Sequence, residues 1–153
     1  MDKRRRLIDL ESRVLRLDDR ESIRDLVYEY QRLCDGGWAG PSHLDPVALK
    51  RLFTLEGEYQ IDPTRPPNKG HEAIEKAFVR LQNSMPWIIH YATNPLIEVD
   101  GDTAEVRVQG FALYKRAGAD HIAMGSYRGK AVRTNDGWRF ASWIFDLAHS
   151  RPL

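Results

Sequence analysis

Near the start of the chain Leu7, Leu10, Val14 and Leu17 recur at spacings of three, four and three, one stripe of a helix with Asp, Glu and Arg elsewhere. Asp18 followed by Glu21 resembles a capping box with Asp in place of Ser or Thr, and a second amphipathic stripe of Ile23, Leu26, Val27, Tyr30 and Cys34 runs on to Gly36 and Gly37. The pattern then lapses. Residues 37–45 hold Gly, Pro and Ser around one aromatic, Trp38, and predict a loop long enough to act as a lid. Asp45 as N-cap and Pro46 at the first helical position open a short helix bearing Val47, Leu49, Leu52 and Phe53, which Gly57 closes. A short strand from Glu58 to Asp62, a Pro-rich turn from Pro63 to Pro67 and a third amphipathic helix on Ile74, Ala77, Phe78 and Leu81 complete the helical half near Pro86.

Beyond Pro86 the period changes from helical to extended. Trp87 to Val99 is rich in β-branched and aromatic residues, Asp100-Gly101 is a strong two-residue hairpin signal, and Thr103 to Tyr114 follows as the paired strand. Ile122 to Arg133 and Trp138 to Ala148 form a second pair around Asn135-Asp136-Gly137. Helices first and long antiparallel strands afterwards predict an α+β fold: a curved antiparallel sheet forming a cone-shaped half-barrel packed on the N-terminal helices. Residues 1–18 read as a helical extension and 19–149 as a single α+β barrel domain. The open end of such a cone is the default pocket.

Composition narrows the function. Lys and Arg (23) nearly balance Asp and Glu (22), so no global field draws nucleic acid or an anionic membrane, and neither is expected as a partner. The single cysteine, Cys34, cannot close an internal disulfide, no secretory-length apolar run follows the charged N-terminus, and no window approaches the roughly 18 apolar residues of a membrane span. A cytoplasmic location is the expectation. No His or Cys grouping has zinc-ligand spacing and no Gly-rich phosphate loop is present, so neither a metal nor another cofactor is expected.

Three residues invite chemistry. His90 sits in the apolar run Trp87-Ile88-Ile89-His90-Tyr91, either as a core histidine satisfied by a carbonyl or as a general base held by a carboxylate. Asp35 falls at the end of the second stripe, where an anion opposes the helix macrodipole, and reads equally as an exposed turn residue or as the acceptor for an imidazole. Tyr30 lies on the apolar face of the same helix, its hydroxyl open either to a pocket or to a backbone partner. Trp87, Tyr114, Tyr127, Trp143 and Phe145 are candidate walls for a planar ligand or plain core. Cys34 reads as a small core residue.

The segments Ile23-Arg24-Asp25-Leu26 through Tyr30 to Asp35, Leu52-Phe53-Thr54, Gly70-His71-Glu72-Ala73-Ile74, His90 with Asn94-Pro95, Ile97 to Asp102, and Arg133 with Gly137-Trp138-Arg139 together resemble the SnoaL-like branch of the nuclear transport factor 2-like superfamily. The resemblance covers nearly the whole chain. Members of the scytalone dehydratase, bile-acid dehydratase and hexachlorocyclohexane dehydrochlorinase kind use a His-Asp dyad, which maps onto His90 and Asp35 and implies proton abstraction followed by elimination. The dehydratase-like tyrosine five residues before the Asp is matched by Tyr30, whereas the dehydrochlorinase pattern has a lysine there. The bile-acid type adds an acid on a middle strand, and Gln109 to Tyr114 contains none; His121 is the one candidate for a second pocket histidine.

The expectation is therefore a cofactor-independent dehydratase, isomerase or cyclase acting on a hydrophobic ring compound such as a steroid, polyketide or aromatic. His90, Asp35 and Tyr30 would be catalytic, and Trp38, Phe53, Trp87, Asn94, Tyr114, Tyr127 and Trp143 would bind substrate. The alternative is a non-catalytic small-molecule-binding or assembly domain of the same fold. In either case the apolar stripe of residues 7–17 and the exposed sheet face predict a homodimer or homotrimer.

Overall fold

The computed structural model describes residues 3–35 and 44–153. In chain order the elements are α1 (Lys3–Cys34), α2 (Pro46–Lys50), β1 (Phe53–Gln60), β2 (Asn68–Lys69), α3 (His71–Ser84), β3 (Trp87–Asp100), β4 (Thr103–Arg116), β5 (Ala119–Thr134) and β6 (Gly137–Pro152). Residues 37–43 of the predicted lid, with Trp38, lie outside the described residues, as does Gly36; its last two residues are described, Leu44 buried and Asp45 at the start of α2.

The two predicted N-terminal helices are one. Nothing between Leu17 and Ile23 breaks a helix, so the apparent capping box is spent inside an uninterrupted rod. Asp19 fastens that rod to the sheet: its carboxylate accepts from Arg133 Nη2 at 2.7 Å and from the Trp138 indole at 3.2 Å. Beyond this point Ile23, Leu26, Val27, Tyr30 and Cys34 are buried, as the second stripe predicts. Each of the larger ones contributes roughly 1.5–3 kcal/mol on leaving water.

Asp45 caps α2 by accepting from the amides of Val47 and Ala48 at 3.1 and 3.0 Å, with Pro46 at the first turn. The helix stops sooner than its apolar residues suggest. Phe53 begins β1, and Gly57 lies within that strand, where a register shift between Phe53 and Glu58 accommodates it. α3 covers the same core with Ile74, Ala77, Phe78 and Leu81.

The sheet order is β2-β1-β6-β5-β4-β3. All neighbours are antiparallel except β1 and β6, a parallel pair that the sequence pattern does not reveal. β3 to β6 are longer than predicted, and a third tight hairpin joins β4 to β5 through Ala117 and Gly118, both at positive φ (49° and 80°). Register shifts at Thr93/Leu96, Met124/Gly125 and Lys130/Ala131 bend the strands and increase their twist, which wraps the sheet around α1 and α3 without closing it. No helix among the described residues is long and apolar enough to cross a membrane.

Candidate active site

Curvature leaves a cavity of about 310 Å³ between the helices and the concave face of the sheet. Tyr30 and Cys34 of α1, Tyr59 of β1, His90 of β3, Tyr114 of β4 and Tyr127 of β5 are in its wall. Gly110 makes room for one of them. A Cβ built on it would stand 2.9 Å from Tyr127 Cε2, so only glycine lets that ring lie against β4.

Asp35 immediately follows the last residue of α1 and is buried, as is His90. The negative end of the helix dipole disfavours an anion there. Two donors from one residue offset it: the His90 amide is shared between Oδ1 and Oδ2 at 3.2 and 3.1 Å, and Nδ1 of the ring donates to Oδ1. The Gln31 side-chain amide also donates to the His90 carbonyl at 3.3 Å, so both main-chain groups of this residue are held, one by α1 and one by the residue that follows it.

An ionised carboxylate at Nδ1 fixes the imidazole proton on that nitrogen. Nε2 then carries the lone pair. It is buried and has no hydrogen-bond partner among the described residues. A buried polar atom with no partner is costly, and a ring oriented with its basic nitrogen free is arranged to accept a proton.

Tyr30 meets the imidazole edge-on, with ring centroids 5.6 Å apart, and its hydroxyl lies 3.2 Å from that of Tyr59. Burial, with neighbouring Tyr127 next, holds the Tyr30 phenol well above its ordinary range; burial, with Cys34 next, does the same to Tyr59. Both stay protonated at neutral pH and can donate to a substrate oxygen. Burial likewise pushes the Cys34 thiol up, with the Asp35 charge adding to it, so this cysteine is an inert wall residue.

Of the residues predicted to bind substrate, Tyr114 and Tyr127 line the cavity. Phe53 does not: the start of β1 turns its ring into the core against Tyr59, Phe78 and Phe140. Trp143 lies one layer behind the wall, stacked on Tyr127 with ring planes 7° apart. Trp87 is half-buried at the start of β3 and outside the lining. Asn94 occupies the β3 bulge at φ 52°, exposed, donating to the Gln109 side chain. His121 stacks on Tyr114 rather than reaching the cavity.

Tyr59, Asp62 and Arg116 are wall residues that the sequence reading left out. The two-residue spacing of Tyr59, on β1, and Ile61, just beyond its end, was the available signal for the first. Among the described residues no three His, Cys, Asp or Glu side chains are grouped as a metal site.

A family profile described as a SnoaL-like domain matches residues 15–144. No curated protein matches the sequence. Among solved structures the chain is similar to an NTF2-like protein with a cystatin-like fold from Novosphingobium aromaticivorans, at 28% identity over 93% of this chain and 90% of that one, with a TM-score of 0.75. It shares its fold with a provisionally assigned scytalone dehydratase from the same organism (20% identity, 90% and 89% covered, TM-score 0.77). The same holds for the hexachlorocyclohexane dehydrochlorinase LinA-type3 from Novosphingobium barchaimii LL02 (19% identity, 90% and 92% covered, TM-score 0.77).

Proposed function

The chain belongs to the SnoaL-like domain family, and on that premise we propose that it is a cofactor-independent lyase of the dehydratase type, or an isomerase using the same proton abstraction, acting on a hydrophobic ring compound. The observation that carries this reading is the buried His90 ring, anchored through Nδ1 by Asp35 and left with a free Nε2 in the wall of an aromatic cavity. The fold shared with a provisionally assigned scytalone dehydratase and with a dehydrochlorinase supports the reaction class.

Nε2 of His90 takes a proton from a carbon next to the one bearing the leaving oxygen. The released electron pair forms the carbon–carbon double bond as the carbon–oxygen bond breaks. Tyr30, kept neutral by burial, hydrogen-bonds the departing oxygen, which gains the proton from the imidazolium and leaves as water. Asp35 stabilises the imidazolium between the two transfers. A cavity of about 310 Å³ is at the small end for ligand sites, which favours a compact aromatic or polyketide-derived ring over a full steroid nucleus.

The test is a ligand-induced thermal-shift screen of the wild type and His90→Ala against hydroxylated aromatics, polyketide intermediates and steroids, followed by mass spectrometry for loss of water. One chemical class stabilising both proteins, with turnover reduced about 10²- to 10⁴-fold in the variant, is the expected result. Binding with no turnover in either protein replaces this reading with a non-catalytic ligand-binding domain.

A further inference from the structure

Residues 3–18 of α1 are exposed except for half-buried Ser12, so the rod projects about 24 Å beyond the body it belongs to. Leu7, Leu10, Val14 and Leu17 are each more than half exposed along this arm. At about 100° per residue they face roughly 160° away from the stripe of Ile23, Leu26, Val27, Tyr30 and Cys34 that packs into the domain. The chain's own sheet therefore cannot cover them.

We propose that the occupant of this face is the same arm of a second copy, in a parallel two-stranded coiled coil. Spacings of three, four and three place Leu7 and Val14 at a positions and Leu10 and Leu17 at d positions of two heptads. The flanking charges choose the partner and its direction. Both g positions are basic (Arg6, Arg13) and both e positions acidic (Glu11, Asp18). In a parallel pair each g side chain faces the e side chain five residues later on the other helix, which matches Arg6 with Glu11 and Arg13 with Asp18 on each side. An antiparallel pair would set arginine against arginine and acid against acid. None of these four residues has an ion-pair partner within the chain among the described residues, so all are available. Ile8 and Leu15, at b positions, stand outside the seam. The seam ends where Glu21 and Arg24 take the next a and d positions, the turn at which α1 passes onto its own sheet.

The test is sedimentation equilibrium of the full chain. Leu10 and Leu17 touch nothing in the fold core, so Leu10→Asp should keep the native circular dichroism and thermal transition while weakening self-association at least about a hundredfold. Arg13→Glu should weaken association several-fold, and Arg13→Glu combined with Asp18→Arg should restore it. Leu10→Cys should oxidise to a covalent dimer in the folded state, because equivalent d positions meet only in the parallel register. A wild-type chain that is monomeric at high concentration, an assembly whose mass is unchanged by Leu10→Asp, or a Leu10→Cys dimer that does not crosslink would each overturn the proposal.

Discussion

The backbone amide of His90 donates to both carboxylate oxygens of Asp35, and the ring nitrogen of the same histidine donates to one of them. One carboxylate thus fixes the position of the strand and the protonation pattern of the ring. Asp35→Asn removes the charge that stabilises an imidazolium but keeps an oxygen to accept a hydrogen bond. The expected outcome is a loss of about 10²- to 10⁴-fold in kcat with ligand-induced stabilisation largely retained. Steady-state kinetics alongside thermal shift on the responding compound class separates these two effects.

Tyr30→Phe keeps the buried ring and its edge contact with His90 while deleting the hydroxyl paired with Tyr59. A lost hydrogen bond of about 1–3 kcal/mol predicts a rate reduction of about five- to 150-fold. Because Tyr59 keeps its own hydroxyl and can stand in for Tyr30, Tyr30→Phe with Tyr59→Phe should lose more than the product of the two single losses, a non-additivity that a double-mutant cycle reads directly.

Asp19 gives the fold an acid-sensitive fastening. Its hydrogen bond from Arg133 holds its carboxyl below the ordinary range, against the opposing effect of burial, with Trp138 assisting. A carboxylate whose folded pKa is depressed stabilises the fold above its unfolded value near 4 and loses that contribution as pH falls through the folded value. Asp19→Asn should therefore cost about 1–3 kcal/mol at pH 7 and progressively less below pH 4. Urea denaturation of both proteins across that interval gives the difference.

Gly110→Ala forces a methyl group against the Tyr127 ring, which cannot retreat because it stacks on Trp143 at 5.1 Å. Overpacking of this kind costs about 1–3 kcal/mol. Calorimetry should register a lower Tm, and ligand binding should weaken with it because the displaced ring is part of the cavity wall.

Local signals in the sequence carried far and non-local ones did not. Asp45-Pro46, Asp100-Gly101 and Asn135-Asp136-Gly137 act through their own backbone, and each stands where the pattern places it. The Asp18–Glu21 pair misled because residues that suit an N-cap also suit an exposed helix interior. Ala117-Gly118 was missed as a turn because alanine seldom takes a positive φ. Which aromatics face the cavity depends on strand register and bulges: the shift between Phe53 and Glu58 sends Phe53 into the core and leaves Tyr59 in the wall. Asp35 and His90 are 55 residues apart, and the amide donation that binds them leaves no trace in spacing.

β3 is an outer strand of the sheet, fourteen residues long, and strands of that kind invite a stranger's backbone to pair with them. This one is blunted at two points. Gln31 and Asp35 occupy the outward carbonyl and amide of His90, and the bulge with Pro95 interrupts the ladder a few residues on. The pair that shapes the chemistry is thereby also a guard against amyloid-like growth, so Asp35 substitutions chosen to silence turnover should aggregate sooner on heating than an equally inactive His90→Ala.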